Sequence, residues 1–525
     1  MKKIIQSLTL FIVITITSAC ENQLKIVQPG ATSVDNFYKT DKDAEEAIAA
    51  VYSSWRASLY GQFWLKNLLS DDIICGGGSR GDNSMYEQIN EYNFGAASTT
   101  VSGPFAQYYN TIYLANLIIN RIEPDSDVKK RVVAEAKTIR AAVYFDLVTL
   151  WGNVPLVTAE LSPDEYQQPN GDKNALWELI ETGYRDALQS NSLPQKKSTV
   201  NSAQPARLTA DAARAFLGKA QLFQGKNEEA FENLSKVIND GKHALVADYE
   251  NVLRAVSDFS SESVFEFNSI GDNNNAFAQG NTLWGIMNGY RSDKLNLSGY
   301  FSGSHGIYPS GWGFGNPTSA LYQAFVAEEG TDGYRLNSTI RTYKQLNGIG
   351  ITLNPGSTLY GNEGYFNWKH RYLGSEVLVS SFGFSTTANF RVLRYAEVLL
   401  LAAEAAVQTG KNTQALAYIN QVRSRAKLKP LDNVSLANVK TEKRLELCFE
   451  GVRFQDLVRW GDTQPLERQG QKIPTFTGLN SDGSHAVTYP YTNQAFGFKK
   501  GKNELLPFPE HEMNVNRNIK QNPGW

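Results

Sequence analysis

The chain has only three cysteines in 525 residues, at Cys20, Cys75 and Cys448. That is too few for a disulfide framework. Cys448 sits in an amphipathic pattern and reads as a buried free thiol. Histidine is nearly as scarce, with five in all, which leaves little for His-based catalysis or a metal centre. There is no long basic block, and 51 basic residues nearly balance 53 acidic ones. Nucleic acid is therefore not an expected partner. After the first 20 residues, no segment is apolar enough to cross a bilayer.

Those first residues are distinctive. Lys2 and Lys3 precede an apolar run from Leu8 to Ile16, then the small residues Thr17, Ser18 and Ala19, then Cys20. The run is too short to span a membrane and has the proportions of a secretion signal. A cysteine directly after the cut is what a bacterial lipoprotein signal needs, because its thiol takes the lipid. The reading is a signal over residues 1–19 and a mature chain anchored through Cys20. One lipid chain binds only marginally, so stable anchoring needs more than one.

Complete enzyme motifs are missing. The stretch "GGSRG" fits G-x-S-x-G with Ser79 as nucleophile, but no strand–turn–helix pattern surrounds it. "HEMNV" from His511 lacks the second His of a zinc peptidase motif. No Walker A sequence occurs, and "GWGFG" does not continue as a dinucleotide fingerprint. "DNNN" from Asp272 is a weak calcium signal. Paired carboxylates for glycoside hydrolysis depend on spacing in three dimensions, which sequence does not give. No cofactor, no metal and no catalysis are expected.

Helical periodicity is present in four segments. In "KKRVVAEAKTIRAAVYFDLVTLWGNVP", Val132, Ala136, Ile139, Val143, Leu147 and Leu150 fall on one face, and Gly152 and Pro155 end the run. Residues 217–238 and 402–423 resemble each other: each reads helix, Gly-Lys-Asn turn, helix, with Gly225 matching Gly410 and Ala230 matching Ala415. Their spacing resembles the tetratricopeptide helix pair. The fourth segment, "VKTEKRLELCFEGVRFQDLVRWGD", places Leu445, Cys448, Val452 and Leu457 on one stripe. Its charges, Glu450 with Arg453 and Asp456 with Arg459, fall at i,i+3 spacing and read as scaffold ion pairs.

Between these helices the composition shifts. Residues 271–316 hold ten glycines, seven asparagines and eight aromatics. A second glycine-rich patch follows Asp71, "DDIICGGGSRGDNSMYEQINEY". Long aromatic loops in a compact chain are usually functional rather than disordered. An exposed ring covers the apolar face of a sugar, and amides, carboxylates and guanidinium groups beside it bond the hydroxyls. Trp284, Tyr290, Tyr308 and Trp312 lie among Asn281, Asn288, Arg291 and Asn316. We expect the loops around 72–94 and 281–316 to form one ligand surface.

Several stretches, in order, resemble the SusD/RagB family of outer-membrane lipoproteins from Bacteroidetes. They are "AEAKTIRAAVYFDLVTLWGNVPLV", "GNPTSALYQAF", "LRYAEVLLLAAEAAVQTG" with "ALAYINQVRSRA", "EKRLELCFEGVRFQDLVRWG" and the ending "LLPFPEHEMNVNRNIKQNPGW". The resemblance implies a mostly α, SusD-like fold, with tetratricopeptide-like helices as scaffold and long irregular ligand loops. An N-terminal part (20–240) and a C-terminal part (241–525) would form one compact unit. It implies a cell-surface protein that captures an oligosaccharide or polysaccharide and passes it to a SusC-like TonB-dependent transporter. Capture of peptides or another oligomeric nutrient stays open. By spacing, Asp72 and Arg80 resemble ligand-contacting positions of the starch-binding member.

Overall fold

The computed structural model describes residues 37–196, 206–269, 282–297, 306–307, 311–378, 385–468, 470–492 and 496–525. Helices dominate, with short strands between them. The scaffold begins with α1 (Asp41–Leu68), capped where Thr40 and Asp43 exchange side-chain-to-backbone hydrogen bonds of 3.1 and 2.8 Å. A short α2 (Ser84–Asn90) leads to α3 (Thr99–Arg121) and α4 (Asp127–Trp151). The six periodic apolar residues of α4 are all fully buried, and α1 and α3 pack on it.

The array continues through α5 (Lys173–Gln189), α6 (Ala210–Phe223) and α7 (Asn227–Asn239), each antiparallel neighbour packed on the last. The second repeat is α8 (Tyr395–Gln408) and α9 (Asn412–Arg425). Both repeats turn the same way. Gly225 and Gly410 take φ of 76° and 72°, a region costly for a residue with Cβ. Lys226 N then donates to Gln221 O (3.0 Å), as Lys411 N donates to Ala406 O (2.8 Å). Within the first pair the approach is very close. A Cβ on Gly218 would lie 2.6 Å from Leu234 Cγ.

The two repeats are distant in sequence and adjacent in space. α7 packs on α8. Lys219 of α6 pairs with Glu397 of α8 (2.8 Å), and Tyr418 of α9 meets Ser235 of α7 (3.2 Å). The helical array is therefore continuous, and residues 240–394 are an insertion between consecutive repeats. Strand β2 (Ser263–Phe267) pairs antiparallel with β5 (Phe390–Arg394) at the insertion's two ends. Strands within the insertion pair with strands outside it: β1 (Ile73–Cys75) pairs with β3 (Gly315–Pro317), and β4 (Leu359–Tyr360) joins a sheet with β6 (Lys472–Leu479) and β7 (His485–Thr492).

The fourth periodic segment is two helices, not one. α10 (Leu436–Leu447) stops, and α11 (Arg453–Trp460) starts after a turn in which Phe449 and Gly451 have φ of 66° and 76°. The turn corrects one expected ion pair. Glu450 meets Lys369 (2.7 Å) and Arg394 (2.6 Å), while Arg453 meets Asp71 (2.8 Å). Asp456 and Arg459, inside α11, do pair at 2.9 Å.

Glu450 belongs to a buried charge network. Arg335 contacts Glu329 (2.8 Å) and Glu442 (2.6 Å), and Arg423 shares Glu442 at 3.0 Å. Arg425 meets Glu262 (3.1 Å) and Glu446, and Arg394 bridges Glu262, Glu446 and Glu450. Buried charges persist only when paired in this way. The network ties α10 and α9 to both ends of the insertion.

Candidate ligand-binding surface

Two glycine-rich loops meet above the scaffold. β1 pairs with β3 in the register Ile73↔Pro317 and Cys75↔Gly315. The pairing runs on past the strands: Gly76 N donates to Phe314 O (3.0 Å) and Gly77 N to Gly313 O (3.1 Å). Asn316, buried, holds the crossing from below through Nδ2, which donates to Gly313 O and Gly361 O at 3.0 Å each.

Carboxylates fix the loop that follows β1. Asp82 accepts from Gly78 N at 2.7 Å, and Glu87 accepts from Gly81 N at 2.9 Å. Arg80 pairs with Glu91 and with Glu87 (3.3 Å), and donates to the Tyr360 hydroxyl at 3.0 Å. Burial raises the Glu87 pKa from its ordinary value, against the pull of the Gly81 hydrogen bond and the Arg80 charge. From the other loop, Arg291 pairs with Asp293 (2.7 Å), approaches Asp82 (3.6 Å) and donates to Trp312 O (3.4 Å).

The loop's base is clamped to α10 and α11. Asp71 meets Arg453 (2.8 Å) and Arg444 (3.0 Å), and Asp72 meets Arg444 (2.7 Å). Burial alone would raise the Asp71 carboxyl, but the Arg453 hydrogen bonds and the Arg444 charge outweigh it and hold it at about 2. Asp72, wholly enclosed, is pushed up by burial, with Arg444 pulling against the shift.

The sequence-predicted residues separate into three groups. Trp312 stands at the surface with 39% of its area exposed, and Arg80 and Arg291 form partly exposed charged edges of the same loops. Asp72, Tyr290, Asn288 and Asn316 are interior. Asp72 is 1% exposed and spent on Arg444, which corrects its reading as a ligand contact. Tyr290 is 3% exposed. It packs edge-on to Phe366 at 5.4 Å in a second core cluster, so its ring faces protein. Asn281, Tyr308 and Cys20 lie outside the described residues. So does the side chain of Trp284, whose backbone belongs to the helix Thr282–Asn288.

One contributor was missed. Tyr360, on β4, receives the Arg80 hydrogen bond and carries Tyr491 of β7 edge-on at 5.8 Å. Tyr491 is 40% exposed. The register jumps from Ile473↔Tyr491 to Thr475↔Thr488, a bulge at Tyr489 and Pro490 that re-aims side chains on an edge strand. The phrase "TYPYT" held the signal: Pro within a strand pattern marks an edge or a bulge.

Among the described residues, no group of three or more His, Cys, Asp or Glu is placed to hold a metal. The surface offers ring faces, guanidinium groups and carboxylates on a braced backbone.

Comparison with known proteins places this architecture. The SusD family matches residues 261–525, and residues 32–222 match a family described as starch-binding, associating with the outer membrane. The chain belongs to the SusD family. A SusD-like protein P2 of Formosa agariphila is 26% identical over 98% of this chain and 99% of its own. A solved structure described as a laminarin binding SusD-like protein is 30% identical, with a TM-score of 0.77 over 93% of this chain and all of that one. Surface glycan-binding protein A from Bacteroides thetaiotaomicron, solved in complex with laminarihexaose, shares the fold at 20% identity, with a TM-score of 0.72 over 92% of this chain and 99% of that one. The mostly α SusD fold with its tetratricopeptide-like array is the one described above.

Proposed function

We propose that the protein binds glycans at the cell surface and hands them to a SusC-like TonB-dependent transporter of the outer membrane, without acting on them chemically. The observation that carries the reading is the pair of zipped loops presenting Trp312, whose backbone carbonyl accepts from Arg291, with Arg80 on the edge of the same loops. A braced ring with hydrogen-bonding groups at its edge is the chemistry a sugar needs. The 30% identical relative described as laminarin binding supports it and supplies a probe. Tyr491 is a further stacking ring, and Trp284, Tyr308 and Asn281 remain candidate contacts from the same loop. Cys20 carries the lipid anchor in this reading.

The test is calorimetric titration of laminarihexaose into the wild type and into Trp312→Ala and Tyr491→Ala. Losing a ring that covers a sugar face should weaken binding about 10- to 100-fold, from roughly 1–3 kcal/mol of apolar burial. Melting temperature should hardly move, because an exposed ring supports no core. Unchanged affinity in both variants, or a sharp loss of stability with affinity intact, would place the site elsewhere.

A further inference from the structure

We infer that the ligand surface selects uncharged glycans over glycans bearing carboxylates or sulfate esters, because Arg80 and Arg291 already have their guanidinium forks filled by the protein's own carboxylates; the inference rests on the glycan reading above.

An arginine recognises an oxyanion best through two parallel N–H groups. In Arg291 these are Nε and Nη2, which donate to the two oxygens of Asp293 at 2.8 and 2.7 Å. The third nitrogen, Nη1, donates to Trp312 O (3.4 Å) and faces Asp82 at 3.6 Å. Arg80 is filled in the same way. Its Nη1 and Nη2 donate to the two oxygens of Glu91, the latter at 3.0 Å. Nη1 also reaches Glu87 (3.3 Å) and the Tyr360 hydroxyl (3.0 Å). Each arginine thus sits between two carboxylates. A uronate or sulfate that takes either fork must displace a carboxylate that stays tethered beside it.

Charge at the Trp312 end is balanced rather than positive. Lys294 follows Asp293 and acts on it, so Arg291 and Lys294 meet Asp82 and Asp293. The Arg291 hydrogen bonds lower the Asp293 pKa, which keeps its charge at neutral pH. The side chains of Asp82 and Asp293 are 39% and 50% exposed, against 18% for Arg291. The groups most open to a ligand beside Arg291 are therefore carboxylates, which only accept hydrogen bonds. A sugar hydroxyl suits them, because it donates to a carboxylate and still accepts from a neighbouring N–H. An ionised substituent only accepts, and meets Asp82 and Asp293 as a like charge. Arg80 offers no bare charge either, since Glu87 and Glu91 are its interior partners.

The experiment titrates laminarin and sulfated laminarin, which share a backbone, into the wild type, Asp293→Asn and Asp82→Asn. The readout is the ratio of the two affinities, which a merely structural role would not move. The wild type should bind laminarin about 10-fold or more tightly than the sulfated polymer, as like charges brought together exclude a wrong partner. Asp293→Asn leaves Arg291 without its bidentate anion and should cut the ratio to about 3-fold or less. Asp82→Asn removes the second like charge and should lower the ratio by a smaller factor. Both positions are exposed, so melting temperatures should match the wild type, and either variant tests the inference if the other fails to fold. Sulfated laminarin bound as tightly as laminarin, or a preference that both variants leave at its wild-type value, would overturn the inference with glycan binding still in place. Binding of neither polymer to the wild type would instead remove the glycan reading, and the inference with it.

Discussion

Replacing Glu450 by Gln removes one charge from the buried network and changes almost nothing in shape. In the folded protein the Glu450 carboxylate is held by Lys369 at 2.7 Å and by Arg394 at 2.6 Å. Burial pushes its pKa up, but the two cations outweigh burial and hold it at about 2, against 4.5 for a free side chain. A folded-state pKa below the unfolded value contributes stability above the unfolded pKa. That stability is lost as pH falls through the folded one. At about 1.4 kcal/mol per pH unit, the full contribution at pH 7 is about 3 kcal/mol. At pH 3 most of the unfolded chain has already taken its proton, and about 1 kcal/mol remains. The variant keeps acceptors for its former partners: Lys369 still reaches Glu446 O (2.9 Å), and Arg394 still reaches Glu262 and Glu446. Urea denaturation of wild type and Glu450→Gln, followed by tryptophan fluorescence, should show a gap of about 3 kcal/mol at pH 7, narrowing to about 1 at pH 3. A gap below about 0.5 kcal/mol at pH 7 would refute the reasoning, since a paired buried carboxylate exceeds the usual surface change. So would a gap that does not narrow in acid.

Gly218→Val should lower the melting temperature through overpacking of about 1–3 kcal/mol against Leu234, with laminarihexaose affinity unchanged. An equally stable variant would show that α6 and α7 can part without loss. Cys20→Ala should move the protein from the membrane fraction to the soluble fraction; continued membrane retention without lipid would sink the anchor. Laminarin incubated with the purified protein should release no reducing ends, and release that a single carboxylate substitution abolishes would reverse the non-enzymatic reading.

How much was legible depends on how local each cause is. α4 was readable because its six periodic residues face a core along the whole helix, and local spacing carries that information. The two repeats were readable from matched glycines, but their adjacency was not, since contact between α7 and α8 leaves no mark in either segment alone. The break between α10 and α11 was missed because the apolar period continues through Cys448 and Val452, although Gly451 stood in the middle of the run. Asp72 was misread because its partner, Arg444, lies at the far end of the chain. Tyr290 and Trp312 have the same composition around them, and only the tertiary packing makes one interior and the other exposed. Tyr491 lies outside the glycine-rich loops, on a strand whose local mark is Pro490.

The adjacency of α7 and α8 has a consequence for how such a protein changes over time. Residues 240–394 leave and rejoin the helical array at neighbouring points, and β2 and β5 fasten the two ends together. The entropy of closing a loop grows only with the logarithm of its length, so each doubling costs about 0.6 kcal/mol. The scaffold is therefore nearly indifferent to the size of what it carries there. The insertion behaves as an exchangeable head: its loops and length can be rewritten while the helices beneath it keep their sequence constraints.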